Sequence, residues 1–167
     1  TRRSGAQPTD LICVSGNLGA AFMGLQLLER EKRVFAGQTG DFDPDFAGRE
    51  YILERQLRPE ARQDIIRQLQ EQGLRPTAMI DSSDGLASEL LHLAKESGVG
   101  IRIYEERLPI DVETASMAEE LGMSTTTVAL SGGEDFELIF TLPLGELDHI
   151  RTLEGVHVIG HVTEAGQ

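Results

Sequence analysis

Residues 78–86, AMIDSSDGL, predict a buried strand that ends in a turn of acids and hydroxyls and continues as a helix. Residues 77–80 have the apolar character of a strand, and residues 86–94 have the spacing of an amphipathic helix. Carboxylate oxygens are hard ligands that suit Mg²⁺, while Ser hydroxyls and the free N–H groups of a helix N-terminus can donate to phosphate oxygens. The turn at residues 81–84 is therefore a candidate site for a metal ion and a phosphate.

The same turn has a plainer interpretation, because Ser and Asp are also preferred residues at the N-cap of a helix. Gly85 would then only ease the turn. Asp81 favours the binding interpretation, since it stands one step before the turn, where capping does not require it. A carboxylate left unpaired at the end of a buried strand would be costly to desolvate, and a cation would remove that cost.

A second stretch, residues 129–138 (ALSGGEDFEL), repeats this composition. Residues 131–133 (SGG) are small, so their backbone can approach a ligand closely. Glu134 and Asp135 follow, directly before a strand predicted over residues 136–142. Taken alone, this pattern is equally that of a Gly-Gly turn into a strand, with two solvated acids beside it.

The composition is that of one globular domain. The chain has 167 residues, of which 40% are hydrophobic, enough for one substantial core and little room for two. No apolar run approaches the length of a membrane span, and residues 1–8 (TRRSGAQP) lack the apolar core of a secretion signal, so we expect a cytoplasmic protein without a membrane partner. Cys13 lies in the apolar run LICVS and is expected to be a buried strand residue rather than a nucleophile.

The formal net charge of −13 disfavours a nucleic-acid partner, because duplex binding relies on clustered Lys and Arg to neutralise phosphates. It does not disfavour nucleotides that are carried as Mg²⁺ complexes, since carboxylates can hold the metal ion. The four histidines offer no pair on one helix face beside an acid, as a zinc site would, and we expect structural or surface roles for them. A Walker phosphate loop, a dinucleotide fingerprint and a nucleophile elbow are all missing from the sequence.

Hydrophobic periodicity divides the chain into alternating strands and helices. Strands are predicted over residues 11–15, 77–80, 99–104, 136–142 and 156–162, and helices over residues 18–30, around 51–53, from 59 to 73, and over 86–97, 112–121 and 144–153.

This order predicts an α/β (α+β) fold, a layered domain with a mixed β-sheet covered by helices, because the connections between strands are irregular in length. Ser15 or Asn17 is available to cap the first helix, and Pro59 is expected to open the third at its first turn. Residues 36–48, AGQTGDFDPDFAG, break every periodicity and are expected to form a long mobile loop.

The two stretches at 78–86 and 129–138, together with TRRSGAQPTD at residues 1–10 and QLRPEAR at 56–62, resemble the thiamine-monophosphate kinase family. The resemblance runs to at least Leu142. This family is similar in turn to the superfamily of aminoimidazole ribonucleotide synthetase, selenophosphate synthetase and the hydrogenase-maturation dehydratase, which use ATP and have an N-terminal and a C-terminal α/β domain. The resemblance implies that residues 1–167 are the single C-terminal domain of a two-domain kinase, whose N-terminal ATP- and metal-binding domain is absent from this chain.

The family pattern implies roles for five residues of this chain. Arg3, directly before Ser-Gly-Ala, and Ser83, within D-S-S-D-G, would contact ATP. Asp81 and Asp84 would bind Mg²⁺, and Glu134 of G-G-E-D-F would contact the thiamine phosphate.

The chain departs from the family pattern in three places. Ser82 stands where the family often has an apolar residue, and residues 8–10 are Pro-Thr-Asp in place of the commoner Pro-Gly-Asp. The aromatic residue that the family places near its C-terminus, to cover a ring of the substrate, is not in this chain.

The resemblance implies ATP-dependent phosphorylation of thiamine monophosphate to thiamine diphosphate, by direct transfer of the γ-phosphoryl group to the substrate phosphate. Because both groups are anionic, Mg²⁺ ions held by carboxylates would neutralise their repulsion and align them. The attacking phosphate is already ionised near neutral pH, so no general base is needed. The resemblance also implies a homodimer for the full-length chain, and we expect residues 1–167 alone to be inactive because one domain supplies too few metal ligands.

Two other functions stay open at this point. One is an ATP-dependent ligase or cyclase of the same superfamily, which the shared fold would allow. The other is a noncatalytic regulatory domain, because this chain alone lacks the upstream residues of the site. Release of ADP that depends on thiamine monophosphate, rather than on aminoimidazole precursors, would separate the kinase from the ligase.

Overall fold

The computed structural model describes residues 1–36, 44 and 46–166 of the chain. Within these residues the five strands are β1 (Leu11–Ser15), β2 (Ala78–Asp81), β3 (Gly100–Ile103), β4 (Leu138–Leu142) and β5 (Val156–Thr163). The seven α-helices of the same ranges are α1 (Ala20–Phe35), α2 (Glu50–Leu57), α3 (Gln63–Glu71), α4 (Leu86–Ser97), α5 (Val112–Glu120), α6 (Thr125–Ser131) and α7 (Leu147–Ile150). None of these helices is long and apolar enough to cross a membrane.

The five strands form one sheet in the order β2-β4-β1-β5-β3. The layered α/β architecture expected from the sequence is confirmed, but the sheet of the described residues is antiparallel throughout rather than mixed. The alternating order of strands and helices does give β1, β2 and β3 the same direction. Strands β4 and β5, which come last in the chain, insert between them, so that no two strands of the same direction are neighbours.

Strand β1 lies in the middle of the sheet and is buried along its whole length. Ile12 and Val14 pack on the face that α4 covers, whereas Leu11 and Cys13 pack on the face covered by α3 and α7. The continuous hydrophobicity of LICVS thus belongs to a strand with helices on both faces. Burial raises the pKa of the Cys13 thiol to about 12, which agrees with the prediction of a buried strand residue.

A third apolar cluster lies among α1, α2, α5 and α6, where Met23, Ile52 and Met117 are fully buried. Helix α6 is missing from the sequence prediction, because its residues TTTVALS are mostly β-branched or hydroxyl residues of weak helix propensity. The Ser124 side chain caps this helix by accepting a hydrogen bond from the Thr127 N–H. Burial of one apolar face and a local cap therefore outweigh the weak propensity.

Helix α3 does not begin at Pro59, as the sequence predicts, but at Gln63. Residues 59–62 are not helical, and they bring the Arg62 guanidinium to 2.6 Å from the Glu137 carboxylate. This ion pair joins residues far apart in sequence, so local patterns could not show it.

Strand β4 begins at Leu138 rather than at residue 136, because the φ of Phe136 is +51°, which lies outside the strand region. The helix predicted over residues 144–153 is shorter, consisting of a 3₁₀ turn followed by α7. The loop predicted at residues 36–48 falls mostly on residues 37–43 and 45, which lie outside the described part of the chain.

We predict that Gly24→Ala destabilises the domain by about 1–3 kcal/mol, the usual cost of overpacking a well-packed contact. Gly24 lies where α1 meets α2, and a Cβ atom there would overlap the carbonyl oxygen of Ile52. The change in the free energy of unfolding is measured by urea denaturation. Gly145→Ala is the matched control, because a Cβ at that residue would meet nothing within 4 Å. Equal urea midpoints for the two variants would contradict this account of the helix contact.

Candidate functional site

The two stretches singled out in the sequence lie side by side and are joined by backbone hydrogen bonds. The Ser82 N–H donates to the Glu137 carbonyl at 2.7 Å, and the Phe136 N–H donates to the Ser82 carbonyl at 2.9 Å. The Glu134 N–H donates to the Ser83 carbonyl at 2.7 Å. The turn after β2 and the segment before β4 therefore form one continuous surface at the same end of these two strands.

Two glycines allow these segments to touch backbone to backbone. A Cβ at Gly133 would lie 2.9 Å from the carbonyl oxygen of Ser83, and a Cβ at Gly85 would lie 2.9 Å from the carbonyl oxygen of Leu130. Both glycines also have positive φ, which L side chains rarely adopt. The close approach predicted for the SGG segment therefore occurs against the other stretch of the candidate site.

Asp81 and Asp84 flank the turn, and both are exposed. Asp81 is the last residue of β2, and Asp84 precedes the first turn of α4. Among the described residues, neither carboxylate has a hydrogen-bond or ion-pair partner. Asp81 does not carry the desolvation cost expected from the sequence, because water reaches its carboxylate, but both groups are open to a ligand.

Helix α4 is not capped by the Ser and Asp residues before it. Its N-cap residue is Gly85, which makes no side-chain cap. Instead the buried carboxylate of Glu89 reaches back from within the helix and accepts from the Ser83 hydroxyl at 3.1 Å and from the Asp84 N–H at 3.2 Å. The turn is thus held from inside the helix, and the Asp84 carboxylate is left outside it.

Ser82 has no solvent exposure, although its residue type is polar. Its hydroxyl has no hydrogen-bond partner in the described part of the chain. The apolar residue that the family pattern often has at this position would suit such a buried environment.

Residues 134–137 alternate between solvent and interior. Glu134 and Phe136 are exposed, whereas Asp135 is 3% exposed and Glu137 is 1% exposed. Two of the four residues therefore face solvent, and the other two are buried anchors. The sequence interpretation of Glu134 and Asp135 as two solvated acids is correct only for Glu134.

Asp135 caps helix α1, for which the sequence offers Ser15 or Asn17 as the candidate cap. The Asp135 carboxylate accepts from the Gly19 N–H at 2.7 Å and from the Ala21 N–H at 3.3 Å. The earlier assignment is therefore wrong, because the first helix takes its cap from a residue more than a hundred positions away. Local capping rules cannot identify such a partner.

Glu137 is the centre of a buried ion cluster. Its carboxylate pairs with Arg55 at 2.8 Å and with Arg62 at 2.6 Å, and it accepts a hydrogen bond from the Ser15 hydroxyl. The Ser15 oxygen accepts in turn from the Leu138 N–H at 2.8 Å. This cluster was not predicted from the sequence. The local signal for it is an acid, Glu137, directly before the apolar strand β4.

A surface cavity of about 380 Å³ opens beside the candidate site. Its lining includes Asp81, Phe136 and Leu138 of the two stretches, and Ala61 and Arg62 of the segment before α3. The cavity therefore combines a free carboxylate with an exposed aromatic ring.

Glu134 and Arg3 are both exposed, but they lie on different segments of the chain. The Glu134 carboxylate is exposed and accepts from the Gln56 side-chain amide at 3.3 Å. Arg3 is exposed in the N-terminal arm, whose Arg2 carbonyl accepts from the Met79 N–H of β2. The structure thus brings Ser83, its two flanking acids and Glu134 together, while Arg3 lies along the outer edge of β2 without a hydrogen bond to the others in the described ranges.

The fold and this pair of segments define a family, and the comparison with known proteins agrees. Residues 7–167 match the model of the AIR synthase related protein, C-terminal domain, and the chain belongs to this family. Among named relatives, the thiamine-monophosphate kinase of Aquifex aeolicus (strain VF5) is 36% identical over 171 residues, which cover 97% of this chain and 52% of that protein. The thiamine-monophosphate kinase of Escherichia coli (strain K12) is 40% identical over 144 residues, which cover 84% of this chain and 39% of that protein.

Solved structures of such kinases have the same fold as this chain. The structure of AaThiL complexed with AMPPCP and TMP has a TM-score of 0.79 and 36% identity, over 99% of this chain and 48% of that one. The thiamine-monophosphate kinase of Stenotrophomonas maltophilia K279a has a TM-score of 0.81 and 30% identity, over 99% of this chain and 51% of that one. The chain therefore spans about half the length of these relatives, or less.

We predict that Asp135 makes the domain less stable as the pH rises from about 4 to 7. The pKa of this carboxyl is raised to about 6, chiefly by burial and slightly by nearby Glu137, while the Gly19 and Ala21 N–H groups and Arg55 lower it. The folded protein then holds the proton more tightly than the unfolded chain. The resulting stabilisation is complete below the unfolded pKa and is lost as the pH rises through the folded one.

Asp135→Asn removes this titration and keeps an oxygen for the cap. Relative to this variant, the wild type should lose on the order of 1–3 kcal/mol of unfolding free energy between pH 4 and pH 7. Urea denaturation at both pH values measures the difference. Asp148→Asn is the control, because the Asp148 side chain is 93% exposed. An Asp135→Asn effect that is the same at both pH values would contradict the assignment.

Proposed function

We propose that this chain is the C-terminal half of an ATP-dependent thiamine-monophosphate kinase. The observation that carries the proposal is that Asp81 and Asp84, exposed and without partners among the described residues, lie at the same end of the sheet as Ser83 and Glu134. The identity of 36–40% to proteins named thiamine-monophosphate kinase supports the same reaction. One of the similar structures, AaThiL, is complexed with AMPPCP and TMP, and this supports ATP and thiamine monophosphate as the two substrates.

We assign Mg²⁺ to Asp81 and Asp84. Mg²⁺ is bound in many phosphoryl-transfer sites by one or two carboxylates, with phosphate oxygens and water completing the shell. Two exposed carboxylates that have no cationic partner within the described part of the chain suit that role. In the described ranges, no group of three or more His, Cys, Asp or Glu side chains could hold a metal ion, so this half offers only part of a coordination shell. When bound, the metal ion would neutralise phosphate charge and polarise the phosphoryl oxygens.

Ser83 and Arg3 are the residues we assign to ATP. The Ser83 hydroxyl donates to Glu89, which fixes its oxygen in the turn between the two acids. Arg3 is exposed, and its guanidinium could form charge-assisted hydrogen bonds to phosphate oxygens. Both residues would bind and orient the nucleotide rather than transfer a proton.

Glu134 is the residue we assign to thiamine monophosphate. Its carboxylate is exposed, and the Gln56 amide holds one of its oxygens. A negative side chain attracts the cationic thiazolium ring of thiamine, so it could orient the substrate with its phosphate towards ATP. The attacking phosphate is already ionised, so the proposed reaction uses these residues for positioning and charge, without a general base.

The remaining parts of the proposal concern the whole protein. We propose an N-terminal domain that supplies the other ATP and metal ligands, and a homodimer that works in the cytoplasm. The relatives are about twice as long as this chain, which supports a second domain. The net charge of −13 supports small anionic substrates carried with metal ions over a nucleic-acid partner.

The test of the reaction is a coupled assay of ADP release on the full-length protein that carries this chain, with Mg²⁺ and ATP present. Adding thiamine monophosphate should start the release, and thiamine diphosphate should accumulate in equal amount. Release that starts with aminoimidazole precursors and not with thiamine monophosphate would instead identify a ligase or cyclase. No release with either compound would count against any catalytic role.

We predict that Asp81→Asn and Asp84→Asn each lower kcat/KM by about 100-fold or more, the scale found when one preorganised electrostatic partner of a transition state is removed. The loss should be partly recovered at high Mg²⁺, because a weakened metal site can still be filled by mass action. The measurement is the same assay over a series of Mg²⁺ concentrations.

Glu96→Gln is the matched control for these two variants. Glu96 is exposed near the far end of α4, and the change removes the same charge. This variant should keep the wild-type kcat/KM at every Mg²⁺ concentration. If all three variants behave alike, the effect is one of net charge and the metal assignment is wrong.

A further inference from the structure

Helix α2 contacts the segment before β4 through two neighbouring side chains. The Arg55 guanidinium donates to the Asp135 carbonyl at 2.7 Å and pairs with the Glu137 carboxylate at 2.8 Å. The Gln56 amide donates to the Glu134 carboxylate at 3.3 Å. Neither α2 residue belongs to the binding residues proposed above, yet together they contact all three acids of residues 134–137.

The segment that they contact has an unusual backbone. Gly133 has φ +71°, Glu134 has φ +59° and Phe136 has φ +51°, and the last two are not glycines. Residues with side chains rarely adopt this region, and they remain in it only where the surrounding structure fixes them. The segment therefore needs anchors that hold its backbone as well as its side chains.

Arg55 is the anchor that reaches both. One of its contacts is a backbone carbonyl at residue 135, and the other is a side chain at residue 137, so its guanidinium bridges the two sides of Phe136. Its side chain is 15% exposed, and water therefore screens these contacts little. Arg62 pairs with the same carboxylate, but its other contacts go to Asp64 and not to the backbone of the segment.

We propose that Arg55 is a positioning residue of the kinase site. It holds residues 133–137 in the conformation that turns Glu134 outward and keeps Phe136 in the wall of the cavity that Asp81 lines. Arg55 acts through these residues and does not touch the substrate. The part of this inference that concerns substrate rests on the proposed function, whereas the part that concerns the backbone does not.

The test compares Arg55→Lys with Arg58→Lys in the full-length protein. Lysine keeps the positive charge beside Glu137, but its side chain is shorter than that of Arg, so its ammonium does not reach the position of the Arg55 Nη2 atom, which makes both contacts. Arg58 follows the last residue of α2, and it is exposed, without a side-chain partner among the described residues, which makes it a matched control.

Amide hydrogen exchange by NMR tests the backbone part. In Arg55→Lys the N–H groups of Glu134 and Phe136 should exchange at least about tenfold faster than in the wild type, while the amides of α4 and β1 keep their rates. Arg58→Lys should leave all of these rates unchanged. Unchanged rates in Arg55→Lys would overturn the inference. Faster exchange throughout the domain would also overturn it, because Arg55 would then only stabilise the fold.

Steady-state kinetics tests the substrate part. Arg55→Lys should raise the KM for thiamine monophosphate by roughly tenfold, with the KM for ATP unchanged and kcat within about threefold of the wild type. Combined with Glu134→Gln, it should raise this KM by less than the product of the two separate effects, because both changes act on one carboxylate. An exact product would show independent action and overturn the positioning role. If the wild type does not use thiamine monophosphate, the proposed function fails, and the exchange rates still decide whether Arg55 holds the segment.

Discussion

Glu137 contacts the end of β1, helix α2, the residue before α3 and the turn after β2, the first three through its buried carboxylate. The carboxylate accepts from the Ser15 hydroxyl and pairs with Arg55 and Arg62, while the backbone carbonyl of Glu137 accepts from the Ser82 N–H. A carboxylate that is 1% exposed is tolerable only with such partners, and removing one partner of a buried ion pair typically costs about 3–5 kcal/mol. The candidate site is built on this cluster.

In both stretches of the site, the role of each acidic side chain depends on whether it points into the domain or out to solvent. Inward-facing Asp135 and Glu137 satisfy a helix N-terminus and two arginines, while outward-facing Glu134 keeps its carboxylate for solvent. On the opposing turn, the buried Glu89 carboxylate accepts from Ser83 and from the Asp84 N–H, and Asp81 and Asp84 have no side-chain partners among the residues that the structure describes. Acids that are equivalent in composition are thus separated by burial into structural anchors and free ligands.

The parts of the structure that depend on patterns within a few residues could be predicted from the sequence. The bounds of β1 and α4 follow from a continuous apolar run and from an amphipathic spacing, and the paired motifs were enough to indicate the family. The order of the strands could not be predicted, because β4 and β5 insert between strands that precede them in the chain. The cap that Asp135 gives α1 and the contacts of Arg55 also join residues far apart, where neither periodicity nor capping rules apply.

The N-terminal arm has a consequence for how the domain behaves in solution. Strand β2 is an edge strand of the sheet, and its unpaired N–H and C=O groups would form a template for another strand. The Arg2 carbonyl occupies the Met79 N–H, and Gly5 lies against the Thr77 carbonyl so closely that no side chain would fit. The arm therefore shields this edge from self-association, and a chain without residues 1–5 would present the edge to other copies and be prone to aggregate.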